Sequence, residues 1–75
     1  MTLDENKTTR FKRLATNRAN NAINTLRLIG NLSNTNNYSF DATEVNAIFN
    51  AIDDEFRLTK ARFSFVLKRR RKIKI

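Results

Sequence analysis

The residues able to do chemistry in this chain are its cations. There is no His and no Cys, which removes the usual general base, the commonest metal ligand and the usual thiol nucleophile. Three carboxylates stand in a row at Asp53, Asp54 and Glu55. On a helix, successive residues point in different directions, so this run does not converge on one metal. With no nucleophile–base pair and no Gly-rich phosphate loop, the expectation is a non-enzymatic protein with no cofactor, no metal and no small-molecule substrate. The basic residues are different. Lys68, Arg69, Arg70, Arg71 and Lys72 are consecutive, and Lys74 follows. Such a block repels itself unless anions lie against it, and phosphates relieve the repulsion while releasing counterions.

Charge is distributed unevenly. The net charge is +8 over 75 residues. Residues 1–30 carry six basic and two acidic side chains, residues 31–40 carry none, and residues 41–67 carry five acidic and three basic. The six cations of residues 68–75 therefore supply most of the excess. Lys7, Arg10, Lys12, Arg13, Arg18 and Arg27 leave residues 1–30 at +4, set against −2 for residues 41–67. Arg10 and Arg13 share a helical face, so they join the tail as predicted phosphate contacts. Each alternatively serves as an ordinary solvated side chain. Were all six tail charges to meet a duplex, log affinity would fall against log salt with a slope of about −5.

Two amphipathic patterns position these cations. The first contains the row Ala15, Ala19, Ala22, Leu26, Ile29, spaced 4-3-4-3, with Phe11, Leu14 and Ile23 beside it. Thr2 to Glu5 fits a capping box, which predicts a helix over about 3–29, its start free to move toward Asn6 or Thr8. Gly30, the chain's single Gly, falls where a left-handed C-cap is expected. The second pattern opens on Asp41-Ala42-Thr43-Glu44, again a capping box, with Phe40 and Val45 set as a hydrophobic staple. Its row is Val45, Phe49, Ile52, Phe56, Thr59, Phe63, and Asp53 is spaced to pair with Arg57. Phe63, Phe65 and Leu67 alternate as a strand would, but Val66 continues the helical row, so the helix is placed over about 42–67 and an extended tail over 68–75.

The predicted fold class is all-α: an antiparallel two-helix hairpin over 1–67, with a loop over 30–41 and a basic C-terminal tail. The Ala-rich row suits the Phe-rich one, since small residues facing large ones interdigitate without voids. A single hairpin has one seam, and a domain this small is marginal alone. The expectation is that it completes a helical bundle by homodimerisation or by docking on a protein partner. An antiparallel return would also bring Arg10 and Arg13 beside the tail.

The loop is polar and uncharged. Asn31, Asn34, Asn36 and Asn37 tolerate positive φ and satisfy backbone groups in turns. Asn31, Ser33, Asn34, Asn37 and Tyr38 are candidate loop contacts to a base or a protein surface, against the alternative of a self-satisfied turn. No stretch approaches the ~20 apolar residues of a membrane span, and the N-terminus lacks the apolar run of a secretory signal, so a cytoplasmic protein without a membrane partner is expected.

The pattern Phe11-x-x-Leu14-Ala15-x-x-Arg18-x-x-x-Ala22-Ile23-x-x-x-Arg27-Leu28-Ile29-Gly30-Asn31-Leu32-Ser33-Asn34, followed by Asn37-Tyr38 and Ile48-Phe49, resembles a group of small helical-hairpin proteins of bacteria and mobile elements. The resemblance spans roughly residues 11 to 63 and does not reach the cationic tail. It implies a hairpin with a characteristic loop, in which Arg18, Arg27, Asn31, Ser33, Asn34 and Tyr38 share a structural or binding role. No activity carries over from it.

Together these readings predict a nucleic-acid-binding or nucleoprotein-associated module that grips RNA or DNA phosphates through Arg10, Arg13 and the tail. The alternative is a protein-interaction module or a subunit of a phage, plasmid or ribonucleoprotein assembly.

Overall fold

The computed structural model describes residues 5–70. They form two α-helices, α1 (Lys7–Asn31) and α2 (Ala42–Arg70), and no strand is present among them. The chain divides into two units between Ser39 and Phe40, with one helix in each.

α1 begins at Lys7, later than residue 3 and within the shift toward Asn6 or Thr8 that the sequence left open. Asn6 is its cap, with extended φ −76° and ψ 174°. The Asn6 Oδ1 accepts from the Thr9 backbone N–H at 2.7 Å, and its carbonyl accepts from the Arg10 N–H at 3.0 Å. One side chain thus satisfies a first-turn donor that has no intrahelical partner. Of the Thr2–Glu5 box, Glu5 is outside the helix, and Thr2 to Asp4 lie outside the described residues.

The other end of α1 departs further from expectation. Gly30 is a helical residue without positive φ, so it is not a left-handed cap. The helix runs on through Asn31 and closes by tightening: Leu32 N–H donates to the Ile29 carbonyl and Ser33 N–H to the Gly30 carbonyl, both at 3.0 Å. These i to i−3 bonds satisfy terminal carbonyls without any left-handed residue. Asn34 then organises the turn. Its side chain accepts from Asn36 N–H at 3.0 Å, while its carbonyl accepts from Asn37 N–H at 3.1 Å and Tyr38 N–H at 3.0 Å. With these bonds made, none of the described Asn residues adopts the positive φ that their type allows.

The capping box of α2 forms as its sequence predicts. Glu44 N–H donates to Asp41 Oδ1 at 2.8 Å, and Asp41 N–H donates to Glu44 Oε1 at 3.0 Å. Val45 N–H closes the first turn on the Asp41 carbonyl at 3.1 Å. The far end corrects the boundary at residue 67. Lys68, Arg69 and Arg70 are helical, and the Phe63–Leu67 alternation forms no strand. A helix satisfies its own backbone groups, whereas a lone strand leaves them unpaired. No Gly or Pro interrupts the segment, and cations in the last turn suit the negative end of the helix dipole.

No described residue is fully buried. The least exposed members of α1 are Leu14, Ala15 and Ile29, and those of α2 are Val45 and Ile52. All lie on or beside the apolar rows read from the sequence. Those rows remain substantially exposed at Phe11, Phe49, Phe56 and Phe63.

Candidate nucleic-acid interface

The last turn of α2 projects Lys68, Arg69 and Arg70, all exposed. Arg71, Lys72 and Lys74, the remainder of the predicted tail contact, lie outside the described residues. Among the described residues, no carboxylate pairs with Lys68, Arg69 or Arg70; the ion pairs there engage Arg13 and Arg57 instead. Arg69 has another neighbour. Its guanidinium carbon lies 5.6 Å from the centroid of the Phe65 ring, a cation–π distance. Lys60 Nζ stands 5.3 Å from the Phe56 centroid in the same way. Both pairs have i, i+4 spacing, a signal present in the sequence but not singled out there.

Extension of the helix through residue 70 changes what this end can do. In an extended tail, successive cations point to alternate sides. On a helix, Lys68, Arg69 and Arg70 splay around one turn, each pointing away from the next by roughly 100°. The acidic residues of α2 end at Glu55, and between Phe56 and Arg70 the chain carries Arg57, Lys60, Arg62, Lys68, Arg69 and Arg70 with no acid. The second half of α2 is therefore a helical surface of one sign.

Arg10 and Arg13, the other predicted phosphate contacts, belong to α1 and already have partners. Arg13 donates through Nε to Glu5 Oε2 at 2.8 Å and through Nη2 to Glu5 Oε1 at 2.7 Å, a two-pronged ion pair. Arg10 Nη2 reaches the Glu5 backbone carbonyl at 3.5 Å. The Arg13 hydrogen bond, helped by the Arg13 and Arg10 charges, holds the Glu5 carboxyl below its ordinary range, while Glu5 raises the Arg13 guanidinium. Glu5 lies outside the helix and folds back toward it, so this cluster is a local clasp at the start of α1. A phosphate approaching Arg13 must compete with Glu5 for both prongs. The clasp spans eight residues, beyond the i, i+3 and i, i+4 pairs that helical spacing reveals.

The loop candidates divide by role. Asn34 is committed to the turn through its side chain and carbonyl. Asn31 offers its carbonyl to Asn34 N–H at 3.4 Å, and the Ser33 and Asn37 backbones take part in the turn hydrogen bonds. Tyr38 is 49% exposed and is the one aromatic residue among the five candidates. On α2, the expected pairing of Asp53 with Arg57 gives way to Asp54, whose Oδ1 accepts from Arg57 Nη2 at i, i+3. Both spacings bring helix side chains together, and rotamer choice decides between them.

No helix among the described residues is long and apolar enough to cross a membrane. No protein-family model, no curated protein and no solved structure matches this chain.

Proposed function

We propose that the chain is a non-enzymatic nucleic-acid-binding or nucleoprotein-associated module of the cytoplasm, contacting phosphates through the cationic end of α2 and the residues beyond it. The observation that carries this reading is the Lys68-Arg69-Arg70 turn, exposed and without a carboxylate partner among the described residues, continued in sequence by Arg71, Lys72 and Lys74. Phosphate contact relieves the mutual repulsion of these cations and makes binding salt-dependent. No base-reading motif accompanies them, so binding is largely independent of sequence. Arg10 and Arg13 contribute once Glu5 is displaced or shared.

The test is titration of the purified chain against RNA and DNA oligonucleotides over a range of salt concentrations. Neutralising the six cations of residues 68–75 to Gln is expected to weaken binding and flatten its salt dependence, removing a slope of about −5 if all six meet a duplex. Unchanged binding and slope would reject the mechanism.

A second reading rests on the open apolar rows. Fully burying one Phe side chain contributes about 1.5–3 kcal/mol, whereas an exposed ion pair contributes about 0.2–1 kcal/mol. Covering Phe49, Phe56 and Phe63 therefore outweighs any surface pairing these helices make. In this reading the Ala-rich row of α1 and the Phe-rich row of α2 close as an antiparallel hairpin, and a second copy or a protein partner completes the bundle. Sedimentation of the purified chain separates the two routes. A folded dimer that binds polynucleotide alone supports the module reading, and a chain that gains helix only when a protein partner is added supports the subunit reading.

A further inference from the structure

The apolar row of α2 does not account for all of its aromatic residues. Phe49, Phe56 and Phe63 repeat every seven residues and stay on one side of the helix. Phe65 stands nine residues after Phe56, which turns it by roughly 180° to the opposite side. It is 63% exposed, with Leu58 on the same side at 62%. Whatever covers the Phe49–Phe56–Phe63 row, Phe65 faces away from it. Hydrophobic closure of the helices gives no reason for a phenylalanine there.

Its neighbours do give a reason. Arg62 lies three residues before Phe65 and Arg69 four after, each one turn away on the same side. Arg69 already stands 5.6 Å from the ring centroid. Neither arginine has an ion-pair partner among the described residues. The arrangement is an exposed aromatic ring with one guanidinium over it and a second arginine one helical turn before it, on a half-helix with no acidic residue after Glu55. Duplex nucleic acid shows a protein its phosphates and groove edges, and an aromatic ring reaches a base face there only by unstacking a base step. A single strand offers both parts: bases to stack and phosphates to pair.

We infer that Phe65, Arg62 and Arg69 form a stacking platform for one unpaired base of single-stranded RNA or DNA, with the two arginines holding the flanking phosphates. This rests on the nucleic-acid reading above and narrows it to a preference for single strands. Stacking tolerates any base, in keeping with the absence of a base-reading motif.

The test compares the full-length chain with Phe65→Ala and Phe65→Trp on single-stranded RNA, single-stranded DNA and duplex DNA of equal length. Phe65 is exposed on a helix and Ala favours helix, so circular dichroism is expected to be unchanged. Phe65→Ala should weaken single-strand binding by about 5- to 150-fold and leave duplex binding unchanged, while Phe65→Trp retains single-strand affinity. A fluorescent base analogue in the single strand should change its emission on saturation with the parent chain and not on saturation with Phe65→Ala. Equal single-strand affinity of parent and Phe65→Ala overturns the platform and leaves phosphate binding standing. An equal loss on single strand and duplex also overturns it, because a charge or folding effect does not distinguish the two. Failure of the parent chain to bind any of the three at low salt overturns the nucleic-acid reading itself.

Discussion

Replacing Gly30 with Ala tests the end of α1 by sign alone. Gly30 is helical, has no positive φ and is the penultimate residue of α1. A Cβ added there meets no atom within 4 Å. Ala therefore introduces no clash and no backbone strain, and it restricts the unfolded chain more than Gly does. In a helix interior the exchange contributes about 0.8–1 kcal/mol. One residue from the helix end, the gain falls toward the lower limit of about 0.4 kcal/mol for compatible Gly-to-Ala exchanges. A left-handed Gly would respond oppositely, since Ala in that conformation costs about 1–2 kcal/mol. The two outcomes differ by more than 1 kcal/mol. The assay is far-ultraviolet circular dichroism of parent and variant through thermal and urea unfolding. More helix and a higher midpoint are expected; a lower midpoint or lost helicity would refute the tightened helix end described here.

Asp41→Ala removes the side-chain acceptor of the α2 capping box and should destabilise that helix by about 0.5–2 kcal/mol, read as lost helicity and earlier thermal unfolding. Asn6→Ala should do the same for α1, while Thr2→Ala should have little effect because the Asn6 side chain caps this helix. The Glu5–Arg13 clasp predicts a pH dependence. Glu5 is held below its ordinary value of 4.5, so its contribution is complete above that pH and disappears as pH falls through the lowered value. Helicity of the parent chain should therefore decline on acidification below about 4.5, and Glu5→Gln should remove that part of the transition.

The exposed rows and the cationic half of α2 place opposite demands on the chain. Closing the rows brings segments with many cations together, while an anion lying on those cations lowers the repulsion that opposes closure. On the proposed reading, polynucleotide binding supports association of the helices; salt weakens the phosphate contacts and also screens the repulsion that opposes association, so the coupling between the two shrinks as salt rises.

Helical character, the two apolar rows and the α2 capping box were legible in residue types and spacing. Each is a repeat of three or four residues, or a hydrogen-bond exchange contained within four, so short-range geometry decides it. Gly30, Glu5, Arg69 and Phe65 mark where that reading stopped. Glycine is permitted at a left-handed cap and inside a last turn alike, and only the path of the backbone after Ile29 selects between them. Glu5 finds Arg13 because the extended backbone at Asn6 sets Glu5 outside the helix with its carboxylate on Arg13, a placement that helical spacing does not contain. Lys68 to Arg70 belong to a tail or to a helix according to whether the hydrogen-bond ladder continues past Leu67. The ladder does continue, and this carries Arg69 one turn beyond Phe65 and sets the two against each other.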